Sequence, residues 1–448
     1  MSIRNLHMFP LTRTFILVII LHENIYSLVR RYTMSRVILH ADANSFHATV
    51  ECLYRPEAQG RPLSVCGDPE KRHGIVLASN QLAKRYGVKT GMAVWQAKQA
   101  CPGLIAVPPD FALYKHFSHM LRDIYEEYSD RVESFGLDEC WMDLTNPNFT
   151  IVDGEEKAQE IRQRVKNELG ITVSVGVSDN KIFAKLGSDL KKPDAVTVVH
   201  PDHFKENIWP LPASELLYVG PKTTKKLMDY GILTIGDLAN APRGLLKYKL
   251  GKNGLMLQDY ANGLDRAPVK PTTLEESIGS VGNSITPPHD IRTVEDARCI
   301  YYLLAESVGA RMRDAHLQGQ CVSISVRTTE LMHYSCQRKL NYATNVTSEI
   351  ASMACQLFEE RFTAILPLRS VGVSVSALSM EGAPVQMDLF GQQQQREKRH
   401  QLDCALDAIR QRYGNLSVVR GIVLAEPNIA KVDPKDDHTI HPVPFFSG

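Results

Sequence analysis

Between Met34 and His200 short apolar runs alternate with stretches of helical periodicity, so the chain reads as strands and helices in turn. Ser35–Ala41 is β-branched and apolar and predicts a strand that ends at Asp42. Asn44–Cys52 follows with Phe46, Val50 and Leu53 on one side of a helix. Leu63–Cys66 and Gly74–Leu77 predict two more strands, and Ser79–Tyr86 a helix closed by Gly87. Pro108-Pro109 marks a boundary before an amphipathic helix over Phe111–Tyr128. Two apolar half-strands, Val132–Leu137 and Cys140–Leu144, come next, then a charged helix Gly154–Leu169, an alternating strand Ile171–Val177 and a helix Asn180–Leu190. The pattern implies an α+β sheet with its helices on one face, in which strands 36–42, 132–145 and 171–177 lie side by side.

Residues 201–268 change character: short helices are separated by Val219-Gly-Pro-Lys-Thr223 and Leu250-Gly-Lys-Asn-Gly254, turns that can offer backbone N–H groups to phosphates. Lys222, Lys225 and Lys252 add charge beside them, as do Lys226, Lys247 and Lys249. Val269–Thr273 reads as a linker. A second α+β unit follows, with strands Ser277–Ile285, Cys321–Arg327, Met332–Leu340 and Leu368–Leu378 and helices Thr293–Asp314 and Thr347–Phe362. Arg327, Arg338, Lys339 and Arg369 on those strands predict one basic sheet face. Beyond Glu381 the chain turns polar, then predicts an amphipathic helix Arg396–Tyr413, a strand Val418–Leu424 and a disordered Pro-rich end.

Composition adds limits. At 448 residues the chain holds two to four domains, and a formal net charge of +1 means that any nucleic-acid surface is local. Nine scattered cysteines, none in C-x-x-C spacing, argue against disulfides or zinc and for a reducing cytoplasm. The apolar run Phe15–Leu21 is much shorter than the about 20 residues of a membrane span. It is broken by His22, Glu23 and Asn24, so residues 1–33 read as an extension before a functional start at Met34, with a membrane anchor as the minority reading.

The chemistry lies in the carboxylates. Asp138 and Glu139 are adjacent between apolar flanks, and such a pair needs either a turn open to water or a cation. If the three strands are neighbours, Asp42 joins them. Three carboxylates at strand ends suit Mg²⁺, or Mn²⁺, rather than zinc, and two such ions form the clamp used in phosphoryl and nucleotidyl transfer. Lys84 and Lys192 are placed to balance triphosphate charge; Arg85 and Lys191 serve equally on sequence grounds.

Four segments, taken together and in order, resemble the Y-family translesion DNA polymerases of the DNA polymerase IV type: Val37–Glu51, Gly74–Met92, Ser134–Glu139 and Ser174–Pro193. The resemblance runs over roughly residues 34–425. It implies a right-hand polymerase with a palm (34–44 and 109–200), fingers (45–108), a helical thumb of helix-hairpin-helix type (201–268), an α+β little finger (275–382) and a tail (383–448). It places Asp42, Asp138, Glu139 and the Ala43 carbonyl on two Mg²⁺ ions, and Lys84, Lys192 and Gln81 on the triphosphate. Phe46 and His47 fall beside the incoming sugar. Gln386, Leu389 and Phe390 fall on a tether to a sliding β-clamp. The implied activity is template-directed, error-prone extension of a primer from dNTPs without proofreading, by a cytoplasmic monomer bound to primer-template DNA, with no membrane contact.

Three positions depart from the family pattern. His47 stands where a Phe or Tyr is usual, so ribonucleotide exclusion is open. Ala78 and Gln81 replace a hydroxyl and a tyrosine, and Pro221 removes one N–H from the thumb turn. A silent DNA-binding scaffold would have lost a carboxylate, and a nucleotidyl cyclase would leave the thumb and second basic unit unexplained.

Overall fold

A computed structural model describes residues 36–68, 74–272, 278–382 and 392–424. The chain opens with strand β1 (Ile38–Ala43), helix α1 (Phe46–Leu53), strands β2 (Leu63–Cys66) and β3 (Val76–Ser79), helices α2 (Gln81–Arg85) and α3 (Val94–Ala100), and strand β4 (Ile105–Val107). Helix α4 (Phe111–Glu126), strands β5 (Val132–Ser134) and β6 (Glu139–Asp143), helix α5 (Ile151–Leu169), strand β7 (Val173–Ser178), helix α6 (Lys181–Leu190) and strand β8 (Val196–Val198) follow. They build a five-stranded sheet in the order β5-β6-β1-β7-β8 and a small sheet β3-β2-β4. The expected neighbours are neighbours: β1 is buried along its length between β6 and β7, antiparallel to both.

One expectation fails here. Helices cover both faces of the large sheet, not one. Val37, Leu39, Ala41 and Ala43 of the first strand segment pack with Tyr114, Leu121, Ile161 and Val165 of α4 and α5. The opposite face, with Ile38 and Trp141, receives Ala184 of α6. Gly176 of β7 makes that approach possible. A Cβ there would collide with the Ala184 carbonyl oxygen and the Ser188 backbone nitrogen. Gly176→Ala is therefore expected to destabilise the protein by about 2–3 kcal/mol through overpacking, read as a lower urea midpoint at unchanged slope.

Helices α7 (Phe204–Asn207), α8 (Pro221–Met228), α9 (Ile235–Asn240), α10 (Arg243–Leu250) and α11 (Lys252–Ala261) form the helical unit on a core that includes Leu216, Leu227, Leu238, Leu246 and Leu257. The supposed linker is docked where it begins. Val269 is buried against Ile38 and Trp141, and the Lys270 N–H donates to the Glu133 carboxylate at 3.0 Å.

The last unit comprises β9 (Ser280–Ile285), α12 (Val294–Asp314), β10 (Leu317–Thr328), β11 (His333–Thr344), α13 (Thr347–Arg361), β12 (Leu368–Met380), α14 (Gln392–Tyr413) and α15 (Gly421–Leu424), with sheet order β11-β10-β12-β9. Residues 418–424, expected as a strand, instead double back along α14 and end in the short α15. Val418 gives its carbonyl to Arg410, and Arg420 pairs with Glu306 and Asp403. Helix α14 turns its charges inward, Asp403 accepting from the Thr347 N–H at 2.8 Å and Asp407 from Arg313 at 2.6 Å, while Leu402 is 55% exposed. The part of the expected tail from 392 to 424 thus packs on the second α+β unit. Residues 1–33, the segment Gln386–Phe390 and the Pro-rich end lie outside the described residues.

Candidate active site

The chain does turn between Ser134 and Glu139. Phe135 donates its N–H to the Glu139 carbonyl at 2.8 Å, and Gly136 sits at φ 90°, a conformation that favours glycine. Asp138 lies on this turn and Glu139 opens β6. Glu139 faces Asp42 directly across the β1–β6 ladder, and opposed residues of an antiparallel pair point to the same side. The Ala43 N–H closes the corner by donating to the Asp138 carbonyl at 2.9 Å. Asp42, Ala43, Asp138 and Glu139 therefore meet at one end of the sheet's central strands, as expected from sequence.

The electrostatics of this corner are those of excess negative charge. Burial, then Glu139 and Asp42, push the Asp138 carboxyl up to about 7. Among the described residues no three of Asp, Glu, His and Cys stand close enough as placed to ligate one ion. The carboxylates turn to ammonium groups instead. Lys192 Nζ is 2.6 Å from Asp42 Oδ2 and 2.8 Å from Asp189, and Lys185 Nζ is 2.8 Å from Glu139 Oε2 and 3.2 Å from Asp42 Oδ2. Burial works against the Lys185 charge, but Glu139, Asp42 and Asp189 outweigh it and hold its pKa above the usual value. An all-oxygen donor set that gathers positive charge and raises a carboxyl fits a hard divalent cation.

Helix α2, which follows the small sheet's β3, is tied to this corner through Ser45. Its backbone is left-handed at φ 51°, and its hydroxyl accepts from Lys84 Nζ at 2.9 Å and from Gln81 Nε2 at 3.4 Å. Lys84 and Lys192, not Arg85 and Lys191, make these contacts. Burial, then Lys192, lower the Lys84 pKa. Asn44 is buried and binds Ser174 Oγ at 2.9 Å while its own oxygen accepts the Asp194 N–H at 2.8 Å, which fixes the loop carrying Lys192.

His47 is half-buried with its ring edge-on to Tyr114 at 4.5 Å and Phe111 at 6.3 Å, and burial lowers its pKa despite Glu51, so the imidazole is neutral at pH 7. The Tyr114 hydroxyl is held by Glu51 at 2.6 Å. Phe46 is 2% exposed and packs in the core beside the large sheet, which leaves little of its ring for an incoming sugar to touch.

Away from the corner, Lys222 and Lys225 on α8 and Lys252 at the start of α11 are exposed. Pro221 takes the first position of α8, where an N–H has no partner within the helix, so the Lys222 and Thr223 N–H groups still end the helix. The expected basic sheet face is smaller than the sequence suggested. Arg327 pairs with His333 and Lys339 with Cys321 on the open face, but Arg338 is opposite buried Val322, on the helix-covered side, and is bound to Glu360 of α13. The rest of the open face is small and polar: Ser323, Ser325, Ser335 and Gln337, with Gly372 and Ser374 of β12 alongside.

Lys185, Asn44 and Ser45 escaped the sequence reading. For Lys185 the available signal was the spacing Lys181, Lys185, Ser188, which puts one polar stripe on the face of α6 that meets the sheet.

A family model described as the impB/mucB/samB family matches residues 41–189, and one for that family's C-terminal domain matches residues 279–389. The DNA polymerase IV of Acetivibrio thermocellus is 49% identical over 399 residues, covering 89% of this chain and 100% of that protein. The DNA polymerase IV of Pelotomaculum thermopropionicum is 38% identical, covering 88% of this chain and 97% of that protein. DNA polymerase IV 1 of Bacillus subtilis is 36% identical, covering 87% and 94%. A solved Y-family DNA polymerase chimera shares the fold at a TM-score of 0.69 and 24% identity, covering 77% of this chain and 100% of that one.

Proposed function

Because the chain belongs to the impB/mucB/samB family, as a Y-family, template-directed DNA polymerase of the DNA polymerase IV type, we propose that Asp42, Asp138 and Glu139 form its nucleotidyl-transfer centre. The observation that carries this reading is the direct pairing of Asp42 with Glu139 across β1 and β6, with Asp138 on the adjoining turn and two lysines drawn to them. The polymerases of this family are metal-dependent. Asp42, Asp138, Glu139 and the Ala43 carbonyl would hold a pair of Mg²⁺ or Mn²⁺ ions, which when bound activate the primer hydroxyl and neutralise the leaving pyrophosphate.

The other roles belong to the chain itself. Lys84 and Lys192 exchange their present partners, Ser45 and Asp42, for triphosphate oxygens, and Gln81 adds a hydrogen bond that Ala78 cannot make. The large sheet with α4 to α6 serves as palm, the small sheet as fingers, the helical unit as thumb and the last unit as little finger. The starts of α8 and α11, with Lys222, Lys225 and Lys252, meet the duplex backbone. The open face of β9 to β12, with Arg327 and Lys339 at its margin, lets a nucleic-acid surface approach closely because its side chains are small. Extension of a primed template in Mg²⁺, abolished by EDTA, tests the transfer reading; extension that survives EDTA contradicts it.

Among the described residues no helix is long and apolar enough to cross a membrane. We place the enzyme in the cytoplasm as a monomer that works with a sliding clamp through Gln386, Leu389 and Phe390, two apolar residues and a glutamine set in a polar, glutamine-rich stretch. Deleting residues 386–390 is expected to remove clamp stimulation of synthesis while leaving clamp-free extension within about twofold, since a tether acts by effective concentration. Equal stimulation of both proteins would reject the tether.

A further inference from the structure

Helix α6 sets a row of cations against the acidic end of the first sheet. Lys181 Nζ binds Glu133 at 2.6 Å, and one turn on Lys185 reaches carboxylates of three elements: Glu139 of β6 at 2.8 Å, Asp42 of β1 at 3.2 Å and Asp189 of its own helix at 3.2 Å. Its side chain is 11% exposed. A lysine is held that deep only where partners offset its desolvation, and here the partners are the groups assigned above to cations. Resting on that assignment, we propose that Lys185 is a positioning residue, a resident counter-ion that draws Asp42 and Glu139 together while no divalent cation is bound and gives way when one enters.

The geometry supplies both halves of that role. Without a positive charge between them, Asp42 and Glu139, opposed on neighbouring strands and largely shielded from water, would repel. Lys192 cannot substitute, because it reaches Asp42 but has no contact with Glu139 among the ion pairs of the described residues, and at 34% exposure it sits at the rim. Lys185 also has somewhere to go. Asp189, four residues on along the helix and 36% exposed, offers it a carboxylate outside the corner. Beneath Glu139, buried His40 stands 3.3 Å from Oε2, and its Nδ1 is 2.9 Å from Ser188 Oγ. Because that hydroxyl donates to the Lys185 carbonyl at 2.7 Å, it must accept from Nδ1–H, so the same turn of α6 fixes the imidazole below the site.

The test compares Mn²⁺ affinity, counted as free ion by paramagnetic resonance, with the thermal midpoint in EDTA for wild type, Lys185→Met and Lys185→Arg. Lys185→Met is expected to bind Mn²⁺ about tenfold tighter, because a competing charge is gone, and to melt lower in EDTA, with the deficit closing as Mn²⁺ saturates. Lys185→Arg keeps the charge and is expected to bind as wild type does. If Lys185→Met does not fold in EDTA, Lys185→Gln is read by the same two quantities. Equal or weaker Mn²⁺ binding by the uncharged variants overturns the counter-ion role. A wild-type protein that binds no Mn²⁺ at all overturns the carboxylate assignment on which it rests.

Discussion

Replacing Asp138 by Asn together with Glu139 by Gln is expected to lower single-nucleotide incorporation by at least about a thousandfold, the several kcal/mol that metal-assisted charge stabilisation supplies. Duplex affinity should stay within about twofold, because the phosphate and groove contacts proposed for α8, α11 and the little-finger sheet lie on other elements. The fold should survive as well. In the cation-free protein the Asp138 carboxyl is raised to about 7, above its unfolded value, so its ionised form is disfavoured in the folded state. Stability associated with this group is therefore full at low pH and is lost as pH rises through about 7. Asparagine carries no such charge, so Asp138→Asn alone should melt no lower than wild type at pH 8 in EDTA. A variant that loses both activity and thermal stability would indicate that the corner is structural.

His47→Tyr is expected to sharpen sugar selection. The imidazole at this position is neutral, edge-on to Tyr114 at 4.5 Å, and held in an aromatic cluster whose tyrosine hydroxyl is already bound to Glu51. The family resemblance puts this position beside the incoming sugar, and there a phenol ring would extend further toward the sugar than the smaller imidazole does. A few atoms of pocket volume are worth about 10- to 100-fold in discrimination. The ratio of kcat/KM for a deoxynucleotide over its ribonucleotide should rise by that factor in His47→Tyr, with deoxynucleotide incorporation little changed. An unchanged ratio would remove His47 from the sugar contact. Phe46 offers no second candidate, since it is 2% exposed in the core.

The sequence made the local elements and the chemistry legible because both are written in short-range patterns. Leu63–Cys66 is a strand with the expected ends, and the elements expected between β1 and α6 occur in the expected order, while α3, β4 and β8 were not foreseen. Asp42, Asp138 and Glu139 could be paired because Asp42 lies at the end of one expected strand, Asp138 and Glu139 lie between two expected half-strands, and these strands were expected to adjoin. What escaped depends on distances that no local pattern carries. Arg338 and Lys339 are adjacent in sequence, so they point to opposite faces of β11, and only the register with β10 shows which face is covered. Gly176 gives no hint that α6 lies against it, and that contact puts helices on both faces of the sheet. Lys185 looks like any helical lysine until α6 is set on the carboxylate side. Residues 418–424 have a strand-like composition, yet Arg410 and Arg420 hold them along α14.

The proposed seat of nucleotidyl transfer is Asp42 with Glu139, paired across two strands. That role is tested most directly by single-turnover filling of a one-nucleotide gap in Mg²⁺ by wild type and Asp42→Asn, on undamaged and lesion-bearing templates, with DNA affinity measured on the same preparations. Wild type should fill the gap on both templates, and Asp42→Asn should bind the gapped DNA normally and leave it unfilled. Gap filling by Asp42→Asn at the wild-type rate would contradict the account.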